Sequence, residues 1–199
     1  LVEHLLDPEI FGGERPWVTV TRNDPSFTQP DGDYWRGGIW LPTAYMGTKA
    51  LEKYGYHQEA DDAAERLLAQ MFRTYTSYTP HTIWECYSPT RDAPANHGDD
   101  VVRPDFCGWS ALGPISMFIE NVLGFHTVNA LENKVEWRLH HPCCHGLERL
   151  SFGNVTADIL YDGAGTVHVT SNHPLTLVIN GIMISVETGD TKIKTTSAT

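Results

Sequence analysis

The chain has 199 residues, room for one full domain or a medium domain with a small one, and its hydrophobic share of 41% and charged share of 20% are ordinary for a folded protein. A formal net charge of −11 supplies no basic footprint, which excludes nucleic acid and anionic membrane as partners and leaves a neutral ligand such as a sugar compatible. No apolar run approaches the roughly 20 residues of a membrane span, and the 4 cysteines, Cys86, Cys107, Cys143 and Cys144, make no dense disulfide framework, so reduced thiols are expected.

In chain order, neither an initiator methionine nor a signal-peptide pattern precedes L-V-E-H-L-L-D-P, which already has helical character. The sequence therefore reads as a piece of a larger protein, and its compartment stays unread. Leu1, Val2, Leu5 and Leu6 share a helical face that Asp7-Pro8 stops. A long irregular stretch follows, marked by Gly12, Gly13, Pro16, Pro25, Pro30 and Gly32, and loops of that length are commonly functional. It ends in D-G-D-Y-W-R-G-G-I-W, residues 31–40. There Trp35 and Trp40 read either as a binding lip or as core anchors, with Arg36 pairing a local acid.

The spacing predicts a helix over 39–54, with Pro42 in its first turn and Gly55 as C-terminal cap, and a second over 57–75. In the second, Ala60, Ala63, Ala64, Leu67, Leu68 and Met71 make the apolar face, with Glu59, Asp61, Asp62, Glu65 and Arg66 opposite. The short link makes the pair a helical hairpin. Pro89, Pro94, Gly98 and Pro104 predict a loop over 81–105, and residues 109–124 predict a helix apolar nearly all round, hence buried. After Val128 the period changes to two, in runs split by D-G-A-G, S-N-H-P and N-G. The fold class expected is α+β in sequence order: a helical part over 1–128, then a small antiparallel β-sandwich over 129–199.

Chemistry concentrates between Ile83 and Trp109, where I-W-E-C-Y-S-P sets Glu85 between Trp84 and Tyr87 and D-F-C-G-W returns two more rings. Aromatic faces stack on pyranose rings, and a carboxylate among them can act as base or nucleophile at an anomeric carbon. The bland alternative pairs Glu85 with Arg91 or Arg103. Asp31 and Asp33 read as turn residues and Asp105 as a helix cap. H-H-P-C-C-H at 140–145 holds metal-ligand types, but the spacing is too tight for a zinc site, so a loop is expected, with no metal and no cofactor. Trp137, Phe152 and Tyr161 are the few rings a carbohydrate-binding tail would need, and they read better as core.

Y-W-R-G-G-I-W at 34–40, W-E-C-Y-S-P at 84–89 and F-C-G-W-S at 106–110, each followed or preceded by helix in this order, resemble the C-terminal half of the six-hairpin (α/α) barrel glycosidases. The nearest are glycoside hydrolase family 63 and the mannosylglycerate hydrolase-like enzymes, with trehalase more distant. The resemblance covers residues 1–128. It implies an inverting glycoside hydrolase acting on a gluco- or manno-configured α-glycoside. Glu85 would be the general base, with Tyr34, Trp35, Arg36, Trp40, Trp84, Tyr87 and Trp109 lining the pocket. Base and acid would stand roughly 6.5–9.5 Å apart with water between them. The family's acid is an aspartate on an upstream part of the barrel, so the chain is expected to hold the base without the acid and to be inactive alone; the alternative is a noncatalytic carbohydrate-binding or structural fragment. The implied partners are a carbohydrate, the missing N-terminal part of the barrel and, through uncovered apolar helix faces, a second copy.

Overall fold

A computed structural model describes residues 1–28 and 31–195; Pro30 of the long loop and the last residues of the tail, 196–199, lie outside the described residues. The chain divides into two compact units, Leu1–Phe118 and Ile119–Thr199. Helices dominate the first and sheets the second, an α+β content. No described helix is long and apolar enough to cross a membrane.

In the first unit α1 (Val2–Leu6) stops at Asp7, whose extended backbone is the one Pro8 imposes on its predecessor. Helix α2 (Leu41–Lys53) begins two residues later than its apolar pattern. Ile39 is held instead in a strand-like exchange with Tyr87, its N–H donating to the Tyr87 carbonyl at 2.9 Å and its carbonyl accepting the Tyr87 N–H at 3.0 Å. After α2, Gly55 takes a left-handed φ of +84°. Its N–H reaches the Glu52 carbonyl while that of Tyr56 reaches Leu51, which closes the helix end. The short link folds α3 (His57–Ser77) back onto α2. Ala60, Ala63, Ala64, Leu67 and Met71 are buried as their spacing requires, but so are Asp61 and Gln70. Gln70 tolerates burial because its Nε2 donates to the Ser88 carbonyl at 2.7 Å.

The segment after α3 is irregular apart from a short ribbon, β1 (Asn96–His97) with β2 (Asp100–Val101). Next comes a 3-10 turn, Trp109–Leu112, and a π-wound helix, Gly113–Val122. Its pattern predicts burial on most sides, and Met117 and Asn121 are buried, yet Ile115 and Phe118 stand exposed because no described element covers them. The core of this unit joins Ile39, Trp40, Leu41 and Leu51 to Ala60, Ala64 and Leu67, with Trp17, Trp84, Cys86 and Tyr87.

The second unit carries β3 (Phe125–Asn129), β4 (Lys134–Trp137), β5 (His145–Phe152), β6 (Val155–Tyr161), β7 (Thr166–Ser171), β8 (Leu175–Ile179), β9 (Ile182–Val186) and β10 (Gly189–Lys194). They form two four-stranded sheets, ordered β10-β7-β6-β5 and β3-β4-β8-β9. Phe125, Val135, Trp137 and Leu177 from one sheet share a core with Val155, Ile159, Val167 and Val169 from the other. One pairing departs from the antiparallel expectation: β4 and β8 run parallel, Val135 opposite Leu177. The chain between them builds β5, β6 and β7 of the other sheet, a crossover long enough to return β8 in the same direction. Asn180-Gly181 makes the expected tight turn, with both residues at positive φ, 49° and 82°.

Candidate functional site

The Y-W-R-G-G motif folds as a turn in which the Arg36 N–H donates to the Asp33 carbonyl at 2.8 Å, and the exposed Arg36 guanidinium pairs with the Asp33 carboxylate. Its two glycines are required by contact. A Cβ on Gly37 would meet the Phe27 ring at 2.9 Å, and one on Gly38 would meet the Tyr34 carbonyl oxygen at 2.5 Å. That same oxygen accepts the Trp40 indole N–H at 3.1 Å. Tyr34 itself holds a left-handed φ of 56°, a conformation a bulky side chain adopts only when its surroundings fix it.

Glu85 is half-buried, and its backbone is fixed at both ends: its N–H donates to the Arg103 carbonyl at 3.1 Å and its own carbonyl accepts the Ser110 hydroxyl at 2.8 Å. Tyr34 Oη donates to Glu85 Oε1 at 3.1 Å, across 51 residues of sequence. Desolvation, reinforced by the Glu85 hydrogen bond and charge, holds the Tyr34 phenol above its ordinary range, so it remains the donor. Among the described residues no arginine pairs with Glu85. Arg91 is committed to Asp31, gripping both carboxylate oxygens, and Asp31 stands in a turn, as its sequence suggested, but is only 6% exposed.

The aromatic residues separate into two layers. Trp35 and Trp109 are 44% and 49% exposed and offer ring surface to a ligand. Trp40, Trp84 and Tyr87 are buried, at 0%, 4% and 2%, and have little ring surface left for a sugar. Trp40 acts as the floor: Trp35 lies flat on it at 3.9 Å and 5°, and Trp109 meets it edge-on at 5.8 Å. The Tyr87 hydroxyl faces inward, accepting the Trp84 N–H at 3.2 Å, and burial pushes that phenol up. Asp33, Tyr34, Trp35, Arg36, His97 and Gly98 line an open groove of about 400 Å³. A roomier cavity of about 580 Å³, bounded by Met71, Phe72, Tyr75, Ile83 and Phe118, is apolar and holds no carboxylate, so it offers no acid–base chemistry.

Three other carboxylates of this unit have structural partners. Asp105 accepts the Thr82 hydroxyl at 2.7 Å and returns its own N–H to that oxygen at 3.1 Å, and Gly108, not Asp105, precedes the following helix. Asp33 accepts the Gly98 N–H at 2.9 Å beside its Arg36 pair. Asp92 holds Arg15 and Arg73. His97, absent from the sequence reading, stacks on Tyr34; only its place in a loop between two motifs hinted at it. In the second unit Trp137 is buried against Phe125, leaving no indole platform there, and the four cysteines are free. His145, expected in a loop, opens β5 with its Nδ1 against the Cys143 carbonyl at 2.7 Å.

Two comparisons bear on this arrangement. The chain is 28% identical over 132 residues to the mannosyl-oligosaccharide glucosidase of Saccharomyces cerevisiae, a match covering 62% of this chain and 15% of that protein, so the chain spans a small part of its relative's length. The family description that matches residues 1–106 is the mannosylglycerate hydrolase MGH1-like glycoside hydrolase domain. That match takes in the Tyr34–Trp40 turn, Glu85 and the Phe106 end of the third motif, and on it the chain belongs to the mannosylglycerate hydrolase MGH1-like glycoside hydrolases.

Proposed function

We propose that this chain carries the base half of an inverting glycosidase site, with Glu85 activating the water that attacks a gluco- or manno-configured α-glycoside. The observation that carries the reading is the 3.1 Å hydrogen bond from Tyr34 Oη to Glu85 Oε1, which ties the lip turn to the carboxylate. Holding one oxygen leaves the other to receive a proton from water, which is what a general base needs. Trp35 and Trp109 supply stacking surface beside it, over the buried Trp40 floor. The general acid belongs, on this reading, to an upstream part of the same barrel. Asp31, Asp33 and Asp105 are each engaged by an arginine or a threonine, which disfavours them as the proton donor to a leaving oxygen; the exposed Asp99 and Asp100 would be the donors to examine if the chain alone turned over. The first unit is then the C-terminal part of an (α/α)6 toroid, the second a β-sandwich appended to it, and the exposed Ile115 and Phe118 face is covered by barrel helices from the rest of the protein.

The test is the anomer first released by the complete enzyme, followed by proton NMR, with Glu85→Gln alongside. The expected product has inverted configuration. Glu85→Gln should lower kcat about 100- to 10,000-fold, the worth of a positioned general base, with an unchanged melting temperature. The 199-residue chain alone should not turn over. A retained anomer, or near-normal turnover by Glu85→Gln, would sink the assignment.

A further inference from the structure

We infer that His97 is a positioning residue for the base: its imidazole fixes the plane of the Tyr34 ring and so the direction in which Tyr34 Oη holds Glu85. The inference rests on the base role proposed for Glu85. The imidazole lies nearly parallel to the Tyr34 ring, centroids 4.3 Å apart at 16°. The other contacts of that ring are edge-on, Trp40 at 4.7 Å and Trp35 at 6.2 Å, both at 83°. Of these three ring contacts only that of His97 is stacked on a broad face of Tyr34, and His97 is itself exposed.

His97 is placed there by backbone rather than by its own polar atoms. It sits in the β1–β2 ribbon, paired with Asp100. The ribbon is stitched to the lip turn at three points: Tyr34 N–H donates to the Asn96 carbonyl at 2.7 Å, Asn96 N–H to the Gly32 carbonyl at 3.4 Å, and Gly98 N–H to Asp33 Oδ1 at 2.9 Å. Among the described residues the imidazole makes no hydrogen bond. An exposed histidine that spends its ring on a tyrosine face, in a ribbon locked to that tyrosine's backbone, is placed to hold the ring. Tyr34 needs holding, since its φ of 56° gives its side chain an uncommon exit from the backbone. The chain of contact is therefore His97 to Tyr34 to Glu85, and among the described residues His97 makes no hydrogen bond or ion pair with Glu85.

The experiment is a double-mutant cycle in the complete enzyme, on the gluco- or manno-configured disaccharide it turns over fastest. His97→Ala should lower kcat roughly three- to tenfold, about the worth of one ring stack, with KM unchanged. His97→Phe, which keeps a flat ring, should restore kcat to near the starting value. In a Tyr34→Phe background, where no hydroxyl reaches Glu85, His97→Ala should cost nothing further. Melting temperatures show whether each variant is folded. Equal losses from His97→Ala with and without the Tyr34 hydroxyl, or no loss at all, would overturn the inference. Near-normal turnover by Glu85→Gln would instead overturn the base role, while the cycle would still report whether His97 acts through Tyr34.

Discussion

Replacing Gly38 with alanine puts a methyl carbon 2.5 Å from the Tyr34 carbonyl oxygen, where ordinary contact begins at 3.4 Å, and the obstacle is backbone rather than a mobile side-chain tip. The carbonyl must move, and it is the acceptor of the Trp40 indole. Overpacking costs about 1–3 kcal/mol, and the displaced indole hydrogen bond about 1 kcal/mol. Alanine recovers about 0.4–1 kcal/mol by stiffening the unfolded chain. The net loss expected is about 2–3 kcal/mol. Gly55→Ala is the contrasting change in the same unit: its only demand is conformational, a left-handed φ of +84° that Gly38 does not have, and nothing lies within 4 Å of its Cβ. It should cost about 1 kcal/mol. Urea titration followed by tryptophan fluorescence reads this unit well, since Trp17, Trp35, Trp40, Trp84 and Trp109 all lie in it. With a slope of about 1–3 kcal/mol per molar urea, the Gly38→Ala midpoint should fall by roughly 1 M. A Gly38→Ala midpoint equal to or above that of Gly55→Ala would refute the claim that close backbone approach dictates the second glycine of the motif.

Two further outcomes follow from the ion pairs. Arg91→Ala leaves the buried Asp31 carboxylate, among the described residues, with the Ser88 hydroxyl at 3.4 Å. The loss should be about 1–3 kcal/mol, toward the low end of buried pairs because the Arg91 side chain is largely exposed, and Asp31→Asn in the same chain should recover part of it in a urea titration. The hydrogen bond from Arg73, with a further one from Arg15, holds Asp92 below the usual carboxylate range. A depressed carboxylate stabilises the fold above its unfolded pKa of about 3.9, and that contribution is lost as pH falls through and below this value. Urea midpoints at about pH 5 and about pH 3 should therefore differ less for Asp92→Asn than for the unaltered chain, with the variant weaker at the higher pH. Equal pH dependence in both would refute the reading.

The helical hairpin was legible because α3 repeats small apolar residues at helical spacing and Gly55 ends α2 as its position suggests. Five of the β runs were legible from strict alternation. The strands β3, β5 and β10 were not. In β5 the pairing shifts register between Leu147 and Leu150, which breaks the alternation, and Arg149 takes a φ of 53° there. In β10 Ile193 alone is strongly apolar. The parallel β4–β8 pairing is invisible for a different reason: periodicity reports which face a residue takes, not which strand lies beside it. At the site, the sequence singled out Glu85 and the lip, but wall and floor use the same residue types. Nothing in W-R-G-G-I-W distinguishes an exposed Trp35 from the Trp40 buried beneath it. The Asp31–Arg91 pair spans 60 residues, and only folding reveals it.

The exchange between Ile39 and Tyr87 has a topological consequence. The chain leaves this pair to build α2 and α3 and comes back to it, so the hairpin behaves as an insertion whose two ends are clamped together beneath the site. Its far tip at Gly55 opens onto empty space. Residues can be added at that tip, or the peptide bond there cut, without altering the distance between the two clamped ends. Length variation in this family member is thereby uncoupled from the position of Glu85: the hairpin can grow while the carboxylate, two residues before the clamp, stays where the tyrosine expects it.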